Sequence, residues 1–597
     1  MKSVVAEISA SLSRDDKAVQ ISGLWDRHQS NRRGWLAEKL ELRNYIFATD
    51  TTKTSNASLP WKNKTTIPKL CQIRDNLHAN YMSALFPNDT WLRWEGFSQS
   101  AVIASKRKAI ESYMQNKTRE GDFRVEVAKL LYDYIDYGNA FYDVVWTKET
   151  TTDPETGAEI AGYIGPRLCR LSPLDVVFDP LASNFDSTYK ITRYVKTIGE
   201  LMLEVDTKPE LRYNKAIVVK ASEARKGLSA YTVDDINKSV GFQVDGFGTI
   251  GDYYRSNYVE ILEFEGSMHD DTTGEFLKNV IITVVDRSYV IRQEQMPSWL
   301  GKSTKGHVGW RYRPDNVYSM GPLDNLVGMQ YRIDHLENLK ADAMDLAVHP
   351  PLAISGNVEE FEWGPKAEIY IGEGGAIKEL GMNLQGVIAA NNEIATLEIK
   401  MEEMAGAPKQ AMGIRTPGEK TAFEVQSLEM AASRIFQNKI QNFEISLLEP
   451  ALNRMLELAR RNMDGADIIR TMDDDIGVQE FLSITKEDIT ATGKLRPIGA
   501  RHFAQQATVV QNMMGLVNSA LWTDPGVRGH FSGKAIAHLA EELLGLERFA
   551  LVRDNAQVFE SFDTQQLVQT AGEELQVQQA TPIEPEQAPV NDQRTMV

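Results

Sequence analysis

The apolar residues Val387, Ala390, Ile394, Leu397, Met401 and Met404 step along the chain by 3, 4, 3, 4 and 3 positions, and no other stretch constrains the fold as tightly. That spacing lays one narrow apolar stripe along a helix, the pattern of a helix that packs against a single partner. The nearest partner in sequence runs from Pro322 to Val348. Its Met329, Ile333, Leu336, Ala343 and Leu346 share a stripe, while Asp334, Glu337, Asp342 and Asp345 lie off it. His349-Pro350-Pro351 stops this helix, because proline donates no backbone hydrogen bond and its ring clashes with the preceding turn. An out-and-back helix pair is the simplest arrangement. It is expected to form a protruding stalk around a compact module, residues 350–386, with strand-like runs PLAIS and AEIYIG separated by glycines.

Downstream, residues 406–418 (GAPKQAMGIRTPG) hold three glycines and two prolines, so a flexible loop is expected. A long helix then spans Thr421 to Asn462, with Val425, Leu428, Ala432, Ile435, Phe443, Leu447, Ala451 and Leu458 near one face and Pro450 imposing a kink. One helix of that size is about 60 Å long, more than a compact domain needs. Upstream, the first 150 residues read as helices over Trp25–Phe47, Pro68–Leu85, Ala101–Asn116 and Phe123–Tyr137. Two strand pairs follow, one around DPETGAE and one around HDDTTGEF. After the long helix come a short β stretch (EFLSITKEDI, then KLRPIGA), helices within residues 501–562, and a Gln-, Glu- and Pro-rich tail, 563–597, expected to be disordered. The fold class is α+β, mainly helical, and the length suggests about four compact units.

Composition narrows function by exclusion. Lys and Arg number 65 against 83 Asp and Glu, a net charge of −18, which argues against a protein that coats nucleic acid through counterion release. An acidic wall past which DNA slides is compatible with it, since repulsion reduces sticking. Cys71 and Cys169 stand far apart, as expected of reduced thiols rather than a zinc cluster. No signal peptide is evident, and the strongest apolar run, residues 280–285, is far shorter than a membrane span. A soluble chain, cytoplasmic when made and without a membrane partner, is expected. GKST at 301–304 imitates the end of a phosphate-binding loop, but the required first glycine falls on Met296. The nine histidines form no HExxH and no cluster, and no GxSxG is present. Neither catalysis nor a cofactor is expected.

The order of these parts resembles the portal, or head-to-tail connector, proteins of tailed double-stranded DNA phages, the short-tailed type in particular. GPLDNLVGMQYRIDHLENLKADAMDLAVHPP is similar to that family's first stem helix, with its small-residue start. GEKTAFEVQSLEMAASRIFQNKIQNFEISLLEPALNRMLEL is similar to its long kinked wing helix. YGNAFYDVVW, followed by LSPLDVVFDPLASNFDSTYKITRY, is similar to its wing strands. The match spans roughly residues 120–520 and is weak before residue 120. On this resemblance residues 1–320 form the N-terminal wing, 321–349 the first stem helix, 350–386 the clip and 387–405 the second stem helix. Residues 406–418 form the tunnel loop, 419–500 the kinked wing helix and a β segment, and 501–562 the crown.

The resemblance implies a homo-oligomeric ring, usually of twelve subunits, at one capsid vertex of the virion. It implies passage of double-stranded DNA and partnership with terminase, major capsid and scaffolding proteins, and tail adaptors. The clip is then a surface for outside partners. Its acids Glu359, Glu360, Glu362, Glu368, Glu373 and Glu379 outnumber Lys366 and Lys378, so the collar either repels DNA or is simply a solvated surface. Trp363 either anchors a partner or packs its own module. The tunnel loop carries Lys409 and Arg415 and no acid. These two either touch DNA phosphates, weakly and with salt sensitivity, or pair with neighbouring acids. The rival readings are a different structural virion protein, an oligomeric scaffold without DNA passage, and an unrecognised enzyme.

Overall fold

The computed structural model describes residues 15–86, 91–97, 101–152, 159–208, 211–224, 258–298, 303–348, 350, 352–356, 372–379, 385–406, 435–463, 465–472 and 479–497. Two compact units divide the chain, the first comprising Met1–Ile469 and Leu482–Arg501, the second Arg470–Phe481 and His502–Val597. Residues 498–597, with the expected crown helices and tail, lie outside the described residues.

The N-terminal region is helical as expected, with one difference. In place of a single helix over Trp25–Phe47 there are two, α1 (Asp16–Asn31) and α2 (Arg33–Phe47), broken at Arg32. The buried Arg32 guanidinium donates to the carbonyls of Pro173 (2.8 Å) and Val176 (2.7 Å), so the corner is tied to a distant loop. Next come α3 (Lys69–Leu85), the strand β1 (Leu92–Gly96), α4 (Ala101–Glu120) and α5 (Phe123–Asp136). The inner face of α5 carries Phe123, Val127, Leu130, Leu131, Tyr134 and Ile135, all buried, each stabilising the core by about 1.5–3 kcal/mol.

Gly138 ends this run in the left-handed region, φ +69°. A Cβ there would lie 2.3 Å from the Gly321 nitrogen, a contact only glycine avoids. The chain then enters β2 (Asn139–Thr152), which pairs antiparallel with β3 (Glu159–Leu171) as the sequence suggests. A five-stranded antiparallel sheet follows, in the order β4 (Val176–Phe178), β5 (Lys190–Thr197), β6 (Tyr258–His269), β7 (Phe276–Val285), β8 (Tyr289–Gln295). Between β5 and β6 lie α6 (Ile198–Thr207), begun by a Thr197–Glu200 capping box, and α7 (Lys215–Ala224). Strand β9 (Gly306–Gly309) completes a three-stranded sheet on the other edge of β2, and β10 (Arg311–Arg313) and β11 (Asn316–Met320) form a short hairpin.

Helix α8 (Val327–Val348), the two-stranded module β12 (Leu352–Ser355) and β13 (Ala376–Glu379), and helix α9 (Gln385–Ala405) come next. The run LAIS is a strand as expected and pairs with AIKE; of the other expected run, AEIYIG, residues 367–371 lie outside the described residues. Helical residues 435–443 continue through a π-helical turn, Glu444–Leu448, into α10 (Glu449–Asn462). Pro450 therefore sits in the first turn of α10, and the irregularity falls just upstream of it. Its ring crowds the carbonyl four residues back and it has no N–H to give, so the preceding turn widens. Strands β14 (Ala466–Met472) and β15 (Gln479–Thr485) pair, and after α11 (Lys486–Ile489) the last described strand, β16 (Gly493–Pro497), pairs with β1. One large core joins α2–α5, β1, β2 and α10 to the inner residues of α8 and α9, including Ile333, Leu336, Ile394 and Met401.

Candidate functional site: the helix pair and its strap

The middle of the α9 stripe packs against α8 and the core as its spacing requires, but its last residue, Met404, is 45% exposed, and Leu346 of the matching α8 stripe is 40% exposed. Ile394 and Met401 of α9 and Ile333 and Leu336 of α8 are buried, while Arg332 reaches Glu393 at 3.1 Å and Lys340 reaches Asn391 at 3.3 Å. Entry into α8 is fixed by small residues. Gly321 packs on the end of α5, where a Cβ would lie 2.8 Å from the Ile135 carbonyl, and its N–H donates to Asp324 at 2.8 Å. Asp324 also pairs with the buried Lys39 of α2.

The polar face of α8 does something the sequence does not announce. Asp334, Asp342 and Asp345, expected to lie off the apolar stripe, face an extended strap, residues 62–68, and with Gln330 and Asn338 they bind it up to the first turn of α3. The spacing of 330, 334, 338 and 342 is one residue per helical turn, so the four side chains form a row along one side. Asn338 donates to the Thr65 carbonyl (2.8 Å) and accepts from the Thr65 N–H (2.7 Å), as a β partner would. Asp334 accepts from Thr66 Oγ1 (2.9 Å) and the Ile67 N–H (3.1 Å), and Gln330 donates to the Ile67 carbonyl (2.6 Å) and accepts from the Leu70 N–H (3.2 Å). At the outer end Asp342 accepts from the N–H groups of Lys62 (3.1 Å) and Asn63 (3.0 Å). Gln330, Asp334 and Asn338 are fully buried. Burial pushes the Asp334 carboxyl up to about 6 against the pull of its donors. Burial acts the same way on Asp342, but the Asn63 and Lys62 N–H groups outweigh it and hold that carboxyl below its ordinary value. At the root of the strap, buried Lys69 meets Glu402 of α9 at 2.6 Å, so one short segment touches both helices.

Beyond the strap the pair emerges from its packing. Met344, Leu346 and Val348 on α8, Ile354 on β12 and Ile388 on α9 are exposed, Val348 at 72% and Ile388 at 62%. Glu373 lies exposed on the turn before β13. Of the other residues singled out in the sequence, Glu359, Glu360, Glu362, Trp363 and Glu368 of the expected clip, and Lys409 and Arg415 of the expected loop, lie outside the described residues.

Of the GKST segment, Ser303 and Thr304 belong, with Lys305, to a buried polar seam between the sheets, and residues 301–302 lie outside the described residues. The Ser303 hydroxyl donates to Glu265, Thr304 to Asp143 (2.6 Å), and Lys305 pairs with Glu263 (2.6 Å) and Glu265 (2.7 Å). Both hydroxyls are thus committed to carboxylates, not turned toward a phosphate. Cys71 and Cys169 are free thiols, and burial pushes both up, Cys169 to about 12. Among the described residues no group of His, Cys, Asp and Glu is placed to hold a metal ion, and no helix is long and apolar enough to cross a membrane.

The class this defines is a mixed α+β chain whose core anchors a helix pair bracketing a small β module. No protein-family model matches it, and no curated protein matches it. Among solved structures it is similar to a chain described as "Neck of empty GTA particle computed with C6 symmetry", at 11% sequence identity and a TM-score of 0.35, with 85% of this chain and 93% of that chain covered.

Proposed function

We propose that this chain is the repeating subunit of a portal ring, set at one vertex of a phage capsid, through which double-stranded DNA is packaged and ejected. In this reading α8 and α9 are the stem helices, residues 350–386 the clip, and α10 with the helix before it the kinked wing helix. The observation that carries it is the apolar surface left open on the outer helix pair, at Met344, Leu346, Val348, Ile354 and Ile388. Isolated apolar side chains on a surface are ordinary, but Met344 and Val348, one turn apart on α8, with Ile354 and Ile388 at the same end of the helix pair, support a contact with another chain. The order of parts, resembling the portal family from the wing strands to the kinked helix, makes that chain another copy of itself. Twelve copies, docking of terminase, capsid and scaffolding contacts, and binding of tail adaptors belong to the same reading.

The test is the native mass of the purified chain. The wild type is expected to assemble into one closed oligomer, and Val348→Asp with Ile388→Asp is expected to leave it monomeric with its thermal unfolding unchanged. Assembly of that double variant at wild-type concentration would remove the interface from the account.

A further inference from the structure

A second surface is unusual for its charge. Arg311, Tyr312 and Arg313 of β10 are all exposed, Tyr312 at 55%. The hairpin leans on the helix 435–443: Tyr312 Oη lies 3.5 Å from Asn442 Oδ1, and Lys439 donates to the Trp310 carbonyl and lies over the Trp310 ring at 4.5 Å. One turn back along that helix face is Ile435, 56% exposed.

Most other arginines in the body are ion-paired, as Arg74 is with Asp136 and Arg170 with Asp133. Arg311 and Arg313 have no carboxylate in salt-bridge range among the described residues, and Arg311 rests only on the face of Trp310, 5.2 Å from its centre. Lys439 lies below its usual range, first because it is half-buried and then because the Arg311 guanidinium faces it. Among the described residues the spot thus holds Arg311, Arg313 and Lys439 against one neighbouring acid, the exposed Asp315 in the hairpin's own turn, a net positive excess on a chain of net charge −18.

Arginine, tyrosine and an exposed isoleucine together make the composition of a protein interface rather than a solvated edge. From this we infer that the β10–β11 hairpin, with Ile435 and Lys439 beside it, is the cationic half of a head-to-tail contact with an acidic surface on a second copy of this chain. The occupant follows from charge. A two-fold pairing would set the patch against itself, cation on cation, and is repelled. A copy of a chain carrying 83 acids against 65 bases offers the complementary sign elsewhere on its surface. A contact between two different faces propagates in one direction, and it closes into a ring when the rotation closes. The inference therefore rests on the ring reading and adds to it the hairpin that sets the order of subunits.

The experiment compares the full chain with Arg311→Glu/Arg313→Glu and Arg311→Gln/Arg313→Gln by mass photometry across concentration, with thermal unfolding and binding to a double-stranded DNA fragment measured on the same samples. The reversal is expected to raise the concentration for half-assembly by tenfold or more, the neutral pair to raise it less, and both to unfold at the wild-type temperature. Wild-type assembly is expected to weaken as salt rises from 50 to 500 mM, in keeping with an exposed ionic contact. Assembly of the reversed variant at wild-type concentration overturns the inference. So does normal assembly with loss of DNA binding, which would make the hairpin a phosphate contact. A wild-type chain that is monomeric throughout refutes the ring reading itself, and the inference falls with it.

Discussion

Asn338→Ala is expected to release the strap from α8 without disturbing the rest of the helix. Asn338 is fully buried and makes three hydrogen bonds, two to the Thr65 backbone and one to the Asp334 carbonyl at 2.7 Å. Each is worth about 1 kcal/mol net, and a buried partner left unpaired costs about 1–3 kcal/mol more. Water entering the gap recovers part of this, so the local cost is about 3 kcal/mol. Alanine itself favours helix, and α8 keeps its apolar contacts through Ile333 and Leu336. The change should therefore appear as local opening of residues 62–68 rather than as global unfolding. The assay is amide hydrogen exchange. The Thr65 and Ile67 N–H groups should exchange about 100-fold faster, since 1.4 kcal/mol is a factor of ten, while amides in β6 and β7 keep their rates. Unchanged protection at Thr65 would refute the claim that the α8 side chains hold the strap.

Three further outcomes follow from particular contacts. The raised carboxyl of Asp334 makes the strap sensitive to pH: with a folded value of about 6 above an ordinary one of 3.8, its stabilisation is complete below 3.8 and lost as pH rises through 6, so the protection of strap amides relative to their intrinsic exchange rates should fall between pH 5 and 7.5, and Asp334→Asn should abolish that fall. Gly138→Ala forces a Cβ into the Gly321 backbone at positive φ and is expected to cost at least about 2 kcal/mol, read as a lower thermal unfolding temperature; an unchanged temperature would contradict the tight helix-to-strand turn. Charge reversal at both Lys409 and Arg415 is expected to impair genome retention in assembled particles, and normal retention would remove these residues from the DNA contact.

What the sequence made legible, and what it did not, divides by the range of the interaction. The stripe through Ile394 and Met401 was readable because local spacing alone decides which face a helix buries. The strand pair β2–β3 was readable from its turn residues for the same reason. The strap was not, because Asp334, Asn338 and Asp342 have the same polarity whether they face water or a peptide backbone, and the strap lies about 270 residues away in the chain. The pairing of β1 with β16 is likewise set by contacts 400 residues apart. The break at Arg32 has no proline to announce it, only a guanidinium bound to carbonyls of another region. Pro450 signalled an irregular helix, but whether the turn bends or widens depends on the packing of Leu447 and Leu448 in the core. The Ser303–Lys305 stretch shows the opposite case, a motif-like string whose hydroxyls are committed elsewhere by β2 and β6.

The central claim is that copies of this chain close into a ring around a channel. Electron micrographs of the purified full-length protein in negative stain test it most directly. Rings of uniform diameter with a stain-filled central hole, in end views of one rotational symmetry, are the predicted result; filaments, compact monomers or closed dimers without a hole would contradict it.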